Sequence, residues 1–202
     1  MIKLLDIGCD HALLDIYLEN KYKKVYYASD LRESALDMAR DNIKKYNSKN
    51  VILKCGNGLE VLKECKNVDT IVISGMGYIS IMNILKNIKK VKEINKLVIQ
   101  SNSNPEITRK FILKNGFYID KESLVLDKNF YYIVTSYKRG KKKYTNIEKE
   151  IGLIKDEEAK RYLKLEINKN TILLKVVPKK YFLKRISIKR RIKYMKKRIH
   201  TI

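Results

Sequence analysis

Leu4-Leu5-Asp6-Ile7-Gly8-Cys9-Asp10-His11 runs an apolar β-type segment straight into a glycine, and Ala12-Leu13-Leu14-Asp15-Ile16-Tyr17-Leu18 follows with helical spacing. Strand, tight glycine turn and helix is the geometry that aims backbone N–H groups at a ligand from a helix N-terminus. The next apolar run, Val25-Tyr26-Tyr27-Ala28-Ser29, ends at Asp30. That acid stands about 20 residues past the glycine, where a nucleotide-binding α/β sheet sets a carboxylate against ribose hydroxyls. The dinucleotide pattern G-x-G-x-x-G is absent, because position 10 is Asp. One glycine flanked by acids offers nothing to a pyrophosphate. It suits a nucleoside cofactor without phosphates, S-adenosylmethionine rather than NAD. The competing interpretation is an α/β turn that carries two solvated acids.

Outward from that unit the pattern repeats. Apolar spacing predicts a helix over 32–46, a strand over 51–55 stopped by Gly56-Asn57-Gly58, and a short helix over 59–65. A fully buried strand over 68–74 ends in Gly75-Met76-Gly77, and a helix over 78–88 follows. A fifth strand covers 97–102, and Pro105 opens a helix through Leu113 that Gly116 closes. Strands over 118–126 and 130–137 flank the turn Asp127-Lys128-Asn129. Five strands alternating with helices imply a parallel sheet with right-handed crossovers, and the last two form an antiparallel hairpin at its edge. In such a sheet the carboxyl ends of the strands hold the ligand.

The strand-end residues are therefore the site candidates. Gly8 leaves room for the methionine part of the cofactor. Asp6 or Asp10 can receive its ammonium group, and Asp30, with Leu31 beside it, meets the ribose. Asn57, between Gly56 and Gly58 and followed by Leu59, can meet the adenine edge. Two plainer roles compete: Asp6 capping the turn, and Asn57 supplying a left-handed conformation. Gly75, Met76, Gly77 and Tyr78 sit where acceptor and methyl group meet, with Gln100, Asn102 and His11 as orienting side chains. His11 also admits a general base or a helix cap. No acid and no D/N-P-P-Y run stands at Gly75-Met76-Gly77. A ring nitrogen with a free lone pair needs no base, so catalysis there would rest on alignment.

Beyond the basic boundary Arg139-Gly140-Lys141-Lys142-Lys143, two helices over 146–177 and 179–202 are expected, broken at Pro178. Ile188, Ile192, Met195 and Ile199 give the second a coiled-coil seam, and Leu163, Ile167, Leu174 and Val177 give the first a matching stripe. Two domains follow, 1–140 for the cofactor and 141–202 as a basic helical hairpin. Of the formal net charge of +23, residues 138–202 carry 23 Lys+Arg against 6 Asp+Glu. Lysine-rich composition raises charge everywhere, so it does not account for that concentration. A polyanion, RNA, is the expected partner.

Hydrophobic residues at 45% and charged residues at 33% describe a chain able to build a core. No apolar run approaches the ~20 residues a membrane helix needs. Three cysteines without C-x-x-C spacing give neither a disulfide framework nor a zinc site. The expectation is a cytoplasmic, metal-free protein, monomer or weak dimer.

With these residues in place the chain resembles the bacterial tRNA (adenine22-N1)-methyltransferase family, TrmK. The matching pieces are Asp6-Ile7-Gly8-Cys9-Asp10-His11-Ala12, Gly56-Asn57-Gly58-Leu59, Ile73-Ser74-Gly75-Met76-Gly77 and Leu97-Val98-Ile99-Gln100-Ser101-Asn102, followed by a C-terminal helical hairpin. The resemblance implies an α/β class I Rossmann-like methyltransferase acting on N1 of the adenine at tRNA position 22, in the D-arm. It further implies a coiled coil that helps bind tRNA. Relatives of this kind read G-M-G-G where Tyr78 stands, Q-P-N where Ser101 stands, and Glu in place of Asp30. They also carry a helical segment before the first strand, whereas Leu4 lies three residues from Met1. The expected consequence is a cofactor pocket less closed on that side. Two alternatives remain: a non-catalytic RNA-binding protein on a decayed methyltransferase fold, and a methyltransferase for a small molecule or a protein.

Overall fold

In a computed structural model that describes residues 3–202, seven strands form a sheet in the order β3-β2-β1-β4-β5-β7-β6. They are β1 Lys3–Ile7, β2 Tyr26–Asp30, β3 Val51–Cys55, β4 Val68–Met76, β5 Lys96–Ser101, β6 Phe117–Asp127 and β7 Phe130–Arg139. The first five run parallel, and β7 and β6 complete the edge antiparallel, as the sequence pattern requires. On one face α1 (Leu13–Tyr22) and α2 (Glu33–Lys45) pack through Ala12, Ile16, Leu36 and Ala39 onto Ala28 and Val51. On the other, α3 (Tyr78–Ile84) and α4 (Pro105–Lys114) bury Ile81 and Ile112 against Leu5, Ile7, Ile71, Ile73, Leu97 and Ile99. All five residues of β2 are buried, which is why that run reads as continuously apolar rather than alternating.

Chain order reverses between β1 and β4, and the carboxyl ends of β3-β2-β1-β4-β5 share one edge. A sheet of this topology opens its crevice at that point. The β6–β7 hairpin turns through Lys128 and Asn129, both at positive φ (44° and 69°), the two-residue turn whose twist matches the strands. Its tip projects past the end of β5, on the same edge as the crevice, because Val134 already pairs with Gln100.

Four elements differ from expectation. Residues Gly58–Glu64 form a 3₁₀ helix, and the helix from Tyr78 changes to 3₁₀ geometry over Leu85–Lys90. β4 continues through Gly75 to Met76. The helix expected over 146–177 is two, α5 (Asn146–Ile151) and α6 (Glu157–Val176). The break is tertiary in origin. Gly152 takes φ +96°, and a Cβ there would overlap Glu122 and crowd Arg109 at 2.9 Å. The next N–H, of Leu153, donates to Glu122 Oε2 at 2.6 Å, and the Gly152 carbonyl accepts from Arg198. Asp156 then restarts the helix by accepting from Ala159 N at 2.7 Å.

After the turn at Pro178, α7 (Phe182–Ile199) folds back along α6, and Arg185 donates to the carbonyls of Leu174 and Val177. Ile188 and Met195 of the expected seam are buried, while Ile192 and Ile199 are half-buried. Arg191 pairs with Glu106 at the start of α4, so α7 is fastened to the sheet domain. The stretch before Lys3, on which the closure of the pocket was expected to depend, lies outside the described residues.

Candidate functional site

At the end of β1, Gly8 takes φ +81°, and both its N–H and that of Cys9 donate to the Ser29 carbonyl, at 2.7 and 2.9 Å. The Gly8 and Cys9 amides are therefore engaged with β2, and the first amides of α1, which has no side-chain cap, are the ones left to face a ligand. A Cβ on Gly8 would overlap the Met76 methyl, so the Met76 side chain lies directly on the glycine. Asp30, 8% exposed, ends β2, and its Oδ1 accepts the Arg32 N–H at 3.0 Å. The Arg32 guanidinium lies 3.5 Å from Asp30 and 3.6 Å from Asp10, and Asp10 in turn meets His11 Nε2 at 3.1 Å. This edge holds the carboxylates Asp10 and Asp30 with one cation, Arg32, between them, and the Gly8 and Cys9 amides are occupied. It fits a phosphate-free nucleoside cofactor.

Asn57 is exposed and extended (φ −95°), and Gly58 supplies the positive φ (+55°), so Asn57 does not serve the turn. Gly58 packs on Ile84, and Leu59 packs against the main core. Leu31 leaves 66% of its surface exposed beside Asp30.

The Gly75-Met76-Gly77 side is built by a β-bulge. Between Ile73 and Met76 the β4 register slips by one residue against Ile99 and Ser101 of β5. A bulge leaves ladder groups unpaired, and side chains take over here. Gly75, at φ +75°, donates its N–H to Gln100 Oε1 at 2.7 Å, and its carbonyl accepts from Asn102 Nδ2 at 2.7 Å. Gln100 Nε2 donates to Asn102 Oδ1 at 2.9 Å and closes the ring. Ser103 Oγ accepts the Tyr78 N–H at 3.3 Å, just past Gly77, which fixes the start of α3. Every partner in the Gly75 clamp is an amide.

Beneath the Gly8 turn, the side chains of Asp6 and Asp15 are both buried as neighbours, and Asp6 Oδ1 and both Asp15 carboxylate oxygens lack any hydrogen-bond partner. Asp6 therefore faces α1 rather than capping the turn. Burial pushes the Asp6 carboxyl up to about 7, and burial and the neighbouring Asp6 charge push Asp15 up as well. We expect the pair to share a proton in the folded state. Between the usual carboxylate range near 4 and pH 7, the native state then binds more protons than the unfolded chain, so stability falls as pH rises through that window. We expect a loss of about 1–2 kcal/mol between pH 5 and pH 8, below the ~1.4 kcal/mol per unit ceiling because water entry relieves part of it. Asp15→Asn, which keeps a donor for Asp6, should remove most of that slope in urea titrations. An equal slope in both proteins would rule out the shared proton.

The structure thus brings Asp6, Gly8, Asp10, His11, Asp30, Leu31, Gly56, Asn57, Gly75, Met76, Gly77, Tyr78, Gln100 and Asn102 to one edge. His11 reaches Asp10 and makes no hydrogen bond to the Gly75 clamp, and it does not cap α1, whose N-cap is Ala12. Arg32, Asp15 and Ser103 were not foreseen. A cation two residues past the ribose acid was the available signal for Arg32, and an acid on the inner face of α1 for Asp15.

Residues 1–135 match the model of a methyltransferase domain family. A Mycoplasma genitalium protein named as a tRNA methyltransferase is 33% identical over 152 residues, 74% of this chain and 67% of that protein. The structure of Mycoplasma capricolum TrmK, solved with S-adenosyl-homocysteine, superposes with a TM-score of 0.86 at 29% identity, covering 100% of this chain and 92% of that one. A Streptococcus pneumoniae protein described as a tRNA (m1A22) methyltransferase gives a TM-score of 0.86 at 25% identity over 98% and 92%. Among the described residues no group of acids, cysteines or histidines could hold a metal ion, and no helix is long and apolar enough to cross a membrane. With these likenesses spanning both the sheet and the C-terminal helices, the chain belongs to the methyltransferase-domain family, together with the Mycoplasma genitalium tRNA methyltransferase.

Proposed function

We propose that this protein transfers the methyl group of S-adenosylmethionine to N1 of adenine 22 in the D-arm of tRNA. The observation that carries the acceptor chemistry is the all-amide clamp on Gly75, which orients groups and offers no base. S-adenosylmethionine supplies the electrophilic sulfonium methyl. Asp30 would hold the ribose hydroxyls, Asp10 and the Asp6 region the ammonium group, and Asn57 the adenine edge. Leu31, Gly56, Gly58 and Leu59 would wall the ring, and Gly8 keeps the backbone low enough for the methionine part. Gly75, Met76, Gly77, Tyr78, Gln100 and Asn102 would set the acceptor nitrogen in line. The lone pair of adenine N1 is available at neutral pH and the product is a cation, so no proton has to leave in the transfer step.

In this arrangement residues 1–140 carry the chemistry and 141–202 hold the RNA. Lys110, Lys114, Lys141, Lys142, Lys143 and Lys149 ring Phe117 and Tyr144 where the two parts join, a further surface suited to a polyanion. The cytoplasm supplies both cofactor and tRNA.

Mapping the methylated position in a tRNA transcript incubated with the protein and S-adenosylmethionine tests the proposal, and methylation elsewhere or none would reject it. Asp30→Ala should weaken cofactor binding by about 2 kcal/mol, the size of a charge-assisted hydrogen bond, or roughly thirtyfold in Kd. Calorimetric titration checks this, and unchanged affinity would place the ribose away from Asp30.

A further inference from the structure

A groove of about 710 Å³ opens between the end of β5, the tip of the β6–β7 hairpin and the helices α6 and α7, lined by Asn102, Asn104, Phe130, Tyr132, Lys169 and Arg191 among others. One of its walls is the segment from Ser101 to Pro105, which includes the Asn102 that clamps Gly75, so the groove begins at the acceptor position. The opposite wall is the hairpin tip. Strand alternation puts Tyr131 and Ile133 on one side of β7 and Phe130 and Tyr132 on the other. Tyr131 is committed: its hydroxyl donates to Glu158, and its ring meets Tyr162 edge-on at 5.5 Å. Phe130 is not, with 67% of its surface exposed. The turn at Lys128 and Asn129 needs no aromatic to form, and at that exposure Phe130 adds little to folding.

An exposed aromatic ring and several side-chain amides, beside the ion pairs Lys169–Glu166 and Arg191–Glu106 whose cations border the groove, make a chemistry suited to one class of ligand. Unpaired nucleotides are held by stacking on aromatic faces, by amide hydrogen bonds to base edges and by cations at their phosphates. Extruding a base from a helical stem also leaves its neighbour without a stacking partner. We propose that this groove takes the nucleotide next to the methylated adenine, with Phe130 as its stacking surface. The inference rests on the tRNA reading above and adds a recognition site that lies outside the cofactor edge.

Kinetics on a tRNA transcript with the full-length protein test it. Phe130→Ala should lower kcat/KM and tRNA affinity about tenfold, the size of one base–aromatic stack. Cofactor affinity and the urea midpoint should stay as in the parent protein. The dependence of log K on log salt should also be unchanged, because stacking releases no counterions. Phe130→Trp should restore the loss and Phe130→Leu should not. Parent-like kcat/KM in Phe130→Ala, or full recovery with Leu, would overturn the stacking site while leaving the methyltransferase reading intact. A parent protein that fails to methylate the transcript would instead reject that reading, and this inference with it.

Discussion

Replacing Glu122 by Ala should destabilise the protein by about 3–5 kcal/mol, the range for a buried ion pair that loses one partner. The side chains of Glu122 and Arg109 are 0% and 1% exposed. Oε1 of Glu122 accepts from Arg109 Nε at 3.1 Å, Arg109 Nη2 at 2.6 Å and Thr135 Oγ1 at 3.0 Å, and Oε2 accepts the Leu153 N–H at 2.6 Å. Arg109 reaches further, to the carbonyls of Lys149 and Glu150 at 3.4 Å each. One carboxylate thus ties α4, β6, β7 and the entry to the C-terminal helices. Without it a guanidinium is left buried with only two long carbonyl contacts. Thermal denaturation should show a fall of roughly 6–20 °C, at the 2–4 °C per kcal/mol usual for chains of this length. The exposed Glu157, paired with Lys160 three residues on, is the control, and Glu157→Ala should change stability by less than about 0.5 kcal/mol. Glu122→Leu combined with Arg109→Met should recover much of the loss, because it removes both charges together. A fall of under 1 kcal/mol for Glu122→Ala would mean that water reaches the pair. The same junction makes removal of residues 141–202 a poor test of RNA binding, since it would uncover Arg109 and Glu122 in the sheet domain.

That junction also marks where local sequence pattern loses its grip. The parallel core was legible because buried strands are continuous apolar runs and because each ends in residues that cannot continue a strand. Asp30 was legible for the same reason, standing at a fixed distance from the glycine turn. The break at Gly152 was not, since the apolar spacing across 146–177 is helical throughout. What stops the helix is a carboxylate and an arginine from two other elements. The Gly8 turn shows a second tertiary effect. The neighbouring strand supplies Ser29 O, which captures the Gly8 and Cys9 amides and leaves the first amides of α1 as the ones open to a ligand. The Gly75 clamp divides the two cases: Gln100 and Asn102 were visible as polar strand-end residues, but the bulge that makes them bond the backbone is a property of register. Phe130 was placed correctly as the start of a strand, and only the length of the hairpin beyond β5 reveals that it overhangs the acceptor edge.

The Gly75 clamp should also dominate catalysis. Asn102→Ala removes the donor to the Gly75 carbonyl and the acceptor for Gln100, so the ring of amides opens at two points. Gly75 lacks a side chain and sits at a bulge with φ +75°, and its own N–H and carbonyl are held by those side-chain amides, while the neighbouring Met76 carbonyl accepts the Asn102 N–H. Met76, which lies on Gly8, follows it in the chain, and the start of α3 comes next. Loosening this segment lets the acceptor drift from the near-attack distance of roughly 3–3.5 Å, and a displacement of about 1 Å costs on the order of a hundredfold in rate. We therefore expect single-turnover methylation of a tRNA transcript to slow about a hundredfold in Asn102→Ala. Cofactor affinity should be nearly unchanged, because Asp30 ends β2 and Arg32 follows it, three strands away from β5. The pH profile separates positioning from proton transfer. Between about pH 6 and 9, which spans the ordinary histidine range near 6.5, parent, Asn102→Ala and His11→Ala should all give nearly flat rates at different heights. A rate that climbs tenfold per pH unit in the parent and loses that dependence in His11→Ala would make His11 a base. A parent-like rate in Asn102→Ala would show that Gly75 holds its place without the amides, and that the alignment of the acceptor arises elsewhere.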